Sequence, residues 1–171
     1  MGTAFISIEF FGQKQFMRQF ERRDLEKLTD MRGGWKKIEK RFYEIEREQF
    51  RSHGAAGGEP WPDLSEVTLR IKDYMMRTRQ AVSLEPLIRT GRMWASLTQP
   101  GSVSGKILQM EKLWMRIGTS VPYARKHQFG IDVKKREVIR LTSTHLNEFT
   151  KIIQQTINAN IRAAGTGTPA L

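Results

Sequence analysis

The chain has 171 residues and no cysteine. That excludes a disulfide framework, a thiol nucleophile and every cysteine-ligated zinc site. Histidine is nearly as scarce. His53, His127 and His145 are the only three, and no two of them stand at a metal-ligand spacing. No apolar run approaches the roughly 18 residues of a membrane span. Met1 to Gly12 lacks the basic region and small-residue cleavage site of a signal peptide. There is no Walker loop, since Gly57-Gly58 precedes Glu59-Pro60 rather than a lysine and a hydroxyl residue opening a helix. Ser96 and Ser120 lack the context of a nucleophile elbow. The carboxylates at 21–30 and 44–48 alternate with lysine and arginine, the pattern of a solvated helix face rather than an acid/base pair. Together these absences remove the parts of an enzyme, and no cofactor or metal is expected.

What is present is positive charge, unevenly placed. The chain carries 29 Lys+Arg against 18 Asp+Glu, a net +11. Residues 1–80 hold 16 basic and 13 acidic side chains, whereas residues 81–141 hold 11 and 4. The middle of the chain is therefore one-sidedly basic, which favours a polyanion or an acidic protein surface as its neighbour. A solvated basic face is the plainer account of the same pattern. No arginine-rich run or aromatic ladder of a nucleic-acid module accompanies it.

Pattern and punctuation predict an α+β domain over 1–162: a small antiparallel sheet, a long N-terminal helical arm over 13–52, and a C-terminal helix packed on the sheet. Residues 4–11 read as a strand ended by Gly12. Phe16, Met17, Phe20, Leu25 and Leu28 mark a first helix, which Gly33-Gly34 is expected to break. Trp35, Ile38, Phe42 and Ile45 then form one apolar stripe of a helix to Ser52. His53–Pro62 is a loop with a solvated His53. Asp63 is the expected cap of a helix running to about Gln80, with Glu66 as its reciprocal partner. Arg92–Thr98 is a short helix, for which Thr90 is a cap and Gly91 a close approach. Ile107–Thr119 is a hairpin with Leu113, Met115 and Ile117 on one side and Trp114, Arg116 and Gly118 on the other. Pro122 opens a short helix that Gly130 ends. Glu137–Leu141 is a last strand. Thr144 caps a final helix facing the core through Leu146, Phe149, Ile153, Ile157 and Ile161, with His145 exposed at its start. Residues 163–171 form a flexible tail.

Four pieces recur in a characteristic order. Pro60-Trp61-Pro62 with Leu64-Ser65 comes first, then Leu87-Ile88-Arg89-Thr90-Gly91-Arg92. Ile117-Gly118-Thr119 follows the hairpin, and Tyr123-Ala124 with His127-Gln128-Phe129-Gly130 closes the series. This ordered set, over about residues 35–130, resembles the tailed-phage virion-morphogenesis family, the tail-completion and neck proteins of the kind found in phage Mu. One departure is plain. Where that family has a Pro-Ala-Arg-Pro-Phe-like segment after His-Gln-Phe-Gly, residues 131–141 here carry no proline and include Lys134-Lys135-Arg136.

The resemblance implies a non-enzymatic subunit of the virion neck or tail, assembled in the host cytoplasm. It implies a homo-oligomeric ring, of six, that joins tail to head between connector and tail-tube proteins. A tail-terminator ring and a small basic DNA-binding protein are the alternatives. In a ring, the basic middle would face an acidic neighbour or, non-specifically, DNA in the lumen, with Lys126, Lys134, Lys135 and Arg136 as the candidates. Trp61, Tyr123 and Phe129 are expected as core plugs. Gly118 is expected to admit another backbone or mark a bulge. His127 is expected to hold a backbone group before Gly130. On this reading Trp61, Thr90, Gly91, Gly118, Thr119, Tyr123, Ala124, His127, Phe129 and Gly130 specify the fold, and function comes from assembly.

Overall fold

A computed structural model describes residues 4–9 and 29–165. The described residues form an α+β fold, as expected, with three strands and five α-helices. Strands β1 (Ala4–Glu9), β2 (Lys106–Met110) and β3 (Trp114–Thr119) make one antiparallel sheet in the order β1-β3-β2. Ile6 pairs with Ile117, and Leu108 pairs with Ile117 from the other side. Period-two alternation puts Met115 and Ile117 of β3 in the core. It puts Arg116 on the outer face, with its guanidinium over the Phe5 and Trp114 rings.

Helix α1 (Arg32–Arg51) is the centre of the fold rather than an arm. Its stripe is the expected one. Trp35, Ile38, Phe42 and Ile45 are buried, and the Trp35 indole N–H donates to the Glu111 carbonyl at 2.9 Å. The helix begins at Arg32 rather than at Trp35 and so takes in Gly33 and Gly34. They lie in its first turn, where backbone N–H groups need no intrahelical acceptor. A Cβ on Gly34 would stand 2.7 Å from Thr156 Oγ1, so the glycine admits the C-terminal helix α5 (Ser143–Gly165) at close range. The expected helical residues 13–28 lie outside the described residues, as do Phe10–Gly12 at the end of the predicted first strand.

The remaining helices are α2 (Glu66–Arg77), α3 (Arg92–Thr98) and α4 (Ala124–Phe129). Helix α3 packs between α1 and the sheet, α4 packs against β1, and α5 lies along α1. Several expected details differ. Ser65, not Asp63, caps α2: its hydroxyl accepts the Thr68 N–H, and the helix stops at Arg77. At α5 the cap is Thr142 rather than Thr144. The Thr142 hydroxyl accepts the His145 N–H while His145 Nδ1 accepts the Thr142 N–H, which half-buries that histidine. The core face of α5 begins at Phe149 and includes Ile152, Ile153, Thr156 and Ile157, whereas Leu146 is 52% exposed. Residues 163–165 are the last turn of α5, not part of a tail, and 166–171 lie outside the described residues.

No strand forms over 137–141. That segment is stitched by side chains instead. Gln128 Oε1 accepts the N–H groups of Val138 and Ile139, both at 2.9 Å, and Gln128 Nε2 donates to the Ile139 carbonyl at 2.9 Å. Gln49 Nε2 and Trp61 Nε1 both donate to the Glu137 carbonyl. A single amide thus does the work of a neighbouring strand. Among the described residues, no helix is long and apolar enough to cross a membrane.

Candidate functional site

Several of the motif residues close the fold. Trp61 is 6% exposed and packs edge-on to Phe50, with ring centroids 5.3 Å apart. His53 is exposed, as expected, and its ring lies nearly parallel to Trp61, with centroids 6.5 Å apart and an 18° tilt. Thr119 is a buried hub. Its hydroxyl donates to the Gly105 carbonyl at 3.0 Å, accepts the Val121 N–H at 3.2 Å, and lies 2.8 Å from Ser96 Oγ. A Cβ on Gly118 would stand 2.3 Å from the Ala4 carbonyl oxygen and 2.6 Å from the Phe5 Cα. The glycine therefore admits the backbone of β1, as its place in the motif predicts. Ala124 is fully buried at the start of α4. Gly130 ends α4 at φ +72°, a left-handed cap that suits glycine.

Other motif residues sit differently from expectation. Gly91 is the N-cap of α3 at φ +74°, and its hydrogen faces only ordinary van der Waals contact with Val82. Its role is the positive φ, not close approach. Thr90 Oγ1 lies 3.5 Å from the Arg92 N–H, too long for a strong cap. Tyr123 is half-buried against the core, but Phe129 is 63% exposed and plugs nothing. The His127 side chain does not hold the loop. Its Nδ1 is buried and has no hydrogen-bond partner among the described residues, and its backbone carbonyl takes the Arg136 N–H instead.

The basic candidates separate. Arg136 is 7% exposed and cannot face a lumen. Its guanidinium donates from Nε to the Pro62 carbonyl at 2.9 Å and from Nη2 to the Asp63 carbonyl at 3.1 Å. Lys126 pairs with Asp132 at 3.3 Å and Lys135 with Glu137 at 2.5 Å. Lys134 is exposed and has no ion pair among the described residues. The run thus supplies one solvated cation, two surface ion pairs and one structural anchor.

Sequence reasoning missed the most exposed apolar surface. Helix α2 buries only Lys72. Val67 is 66% exposed, Ile71 50% and Tyr74 65%, and these three residues follow helical spacing along one face. Val82 and Leu84 extend the surface on the strap (residues 79–91) that returns to α3. That strap is costly to fold, with Arg79 and Leu87 at φ +58° and +63°. Lys72 fixes it by donating from Nζ to the carbonyls of Glu85 and Ile88. The missed signal was legible in part: Val67, Ile71 and Tyr74 stand four and three residues apart with no adjacent element to cover them.

Two cavities flank this strap and share Ile88, Arg89 and Tyr123. One, of about 930 Å³, opens between the strap and α3 beside Thr90 and Gly91. The other, of about 360 Å³, lies beneath α2. Leu64, Ile71, Met75 and Leu87 give it apolar walls, and Lys72, Arg89, His127 and Arg136 give it basic ones. Burial, and then the neighbouring Arg136 charge, push the His127 imidazole below its usual range. Burial likewise pushes the Lys72 ammonium down. Among the described residues, no group of His, Asp and Glu could hold a metal ion. No family model, curated protein or solved structure matches this chain.

Proposed function

We propose that the chain is a structural subunit of a tailed-phage particle, a tail-completion or neck protein at the head–tail junction. It acts by assembling into a ring of six and joining tail to head, without turnover. The observation that supports this is the surface of α2: a helix whose apolar residues face outward on a subunit in which Trp61, Gly118, Thr119 and Ala124 of the motif are buried in its own closure. An exposed apolar patch of this kind marks a surface made to be covered. Contacts of one face against a different face, repeated about an axis, close a ring. A tail-terminator ring uses the same logic and is the alternative. Arg136 buried, and Lys126 and Lys135 paired, leave little of the basic run for binding DNA.

The test is assembly of the particle. Ile71→Ser with Tyr74→Ser keeps the subunit folded and blocks its incorporation. Electron microscopy is then expected to show filled heads and separate tails. Joined, infectious particles carrying this double variant, or lacking the protein altogether, would sink the proposal.

A further inference from the structure

The wall of the cavity beneath α2 carries basic side chains and no carboxylate. Lys72, Arg89 and Arg136 bring three basic side chains to a space of about 360 Å³. Glu85 lies near Lys72, and Asp63 near Arg136, but each stands outside the cavity wall. The acceptors that Lys72 and Arg136 do use are backbone carbonyls, which satisfy hydrogen bonds without cancelling a charge. Lys72 thereby commits two of its three donors, and Arg136 two of its five. The His127 Nδ1 faces no partner at all among the described residues. Cations crowded in a half-dry site repel one another, and an anion entering it relieves that repulsion.

The rest of the wall limits what kind of anion fits. Leu64, Ile71, Met75 and Leu87 offer apolar contact beside the charged end. A phosphate backbone has no apolar part to place there, whereas a carboxylate next to a large aliphatic side chain matches both halves. The cavity is also continuous with the exposed face of α2, because Ile71 belongs to both. A chain that seats an acidic residue in the cavity would lay its neighbouring apolar residues over Val67 and Tyr74.

We propose that this cavity is a docking site for an acidic–apolar segment of a protein partner, its carboxylate held by Lys72, Arg89, Arg136 and His127. That the ligand is a protein rests on the assembly role proposed above; the carboxylate chemistry rests on the cavity alone. Lys72 and Arg136 are thus shared between holding α2 on the body and reading the partner, whereas the His127 Nδ1 has no partner in the fold among the described residues. Arg89 is exposed and its side chain makes no bond to the fold among the described residues, so it is free to serve the partner alone.

Purified, isotope-labelled full chain, followed by nuclear magnetic resonance, tests this without any particle. The probes are a short peptide with one glutamate between two leucines and the same peptide with glutamine instead. The glutamate peptide is expected to shift the His127 ring and the Leu87 and Ile88 amides saturably, and to bind about tenfold more tightly than its glutamine twin. Arg89→Ala is expected to keep the fold and close most of that gap. Lys72→Met is expected to close it too, and where that variant loosens α2 the Arg89→Ala result still decides. Equal affinity for the two peptides, or no shift at the cavity with either, overturns the proposal. Displacement of the glutamate peptide by a short DNA duplex or inorganic phosphate more readily than by free glutamate peptide overturns it in favour of a phosphate site. A failure here leaves the particle-joining test untouched; a failure there removes the reason to call the ligand a protein and leaves the carboxylate result standing.

Discussion

Helices α1 and α2 carry apolar residues at the same helical spacing and finish in opposite surroundings. Helix α1 buries nine of its 20 residues, among them Trp35, Ile38 and Phe42. Helix α2 buries one of its 12, and that one is Lys72. The periodic stripe says that a face wants to leave water; it does not say what will cover it. For α1 the cover is the chain itself. For α2 the chain supplies only a strap, and the outer face is left for another molecule.

The largest effect that separates the two helices is on stability. Trp35→Ala removes a fully buried indole and its bond to the Glu111 carbonyl, and is expected to cost about 3–5 kcal/mol. Tyr74→Ala, at a side chain 65% exposed, is expected to stay within about 0.5 kcal/mol of the parent. Denaturant unfolding of both variants checks this. A costly Tyr74→Ala would mean that the outer face of α2 is already covered within the subunit.

A smaller effect is expected at the seam that joins α2 to the body. The root of α2 is held by Arg136 at the Pro62 and Asp63 carbonyls, and the segment carrying Arg136 is held in turn by Gln128. Gln128→Leu leaves two N–H groups and one carbonyl of 138–139 without partners. The expected loss is about 3 kcal/mol, roughly 1 kcal/mol for each bond. Amide exchange is expected to rise first at residues 136–140 and then through α2, while α1 stays protected. Exchange that rises evenly across α1 and α2 would show that the two form one cooperative unit.

How far this was legible follows from what each feature depends on. The stripe of α1, the hairpin and its inward residues and the cap at Gly130 are local: period and turn chemistry dictate them. The roles of Arg136 and Gln128 are not local. Arg136 sits in a Lys-Lys-Arg run, which reads as a solvated face, yet its partners are carbonyls 74 and 73 residues away. Residues 137–141 are rich in β-branched side chains and read as a strand. An amide from α4 takes the bonds a ladder would have made, and no periodicity announces that. Phe129 shows the converse, an aromatic in a motif that reads as core and stands in solvent. The cavity beneath α2 was invisible for the same reason, since its basic residues come from four separate stretches of chain.

The smallest effect lies inside α1 and runs against the usual sign. Glu46 is fully buried, and neither of its carboxylate oxygens has a hydrogen-bond partner among the described residues. Burial alone pushes this carboxyl well above its ordinary value of 4.5, so the folded protein holds a proton that the unfolded chain gives up. Where the folded state binds more protons, stability falls as pH rises. The Glu46 contribution is thus most favourable below pH 4.5 and is lost as pH climbs from there through the raised folded-state value. Lowered carboxyls such as Glu148, beside Arg41, work in the opposite direction and add stability above their ordinary range. Glu46→Met keeps the length of the side chain and removes the unpaired oxygens, and is expected to raise stability by about 1 kcal/mol at neutral pH. The gain should shrink as pH falls toward 4.5, because protonation of the unfolded chain there removes the parent's handicap. A gain independent of pH would assign the effect to packing. A loss would mean that the carboxyl has a use in α1 of the kind that Lys72 has in α2, as a polar group buried because something must bind it.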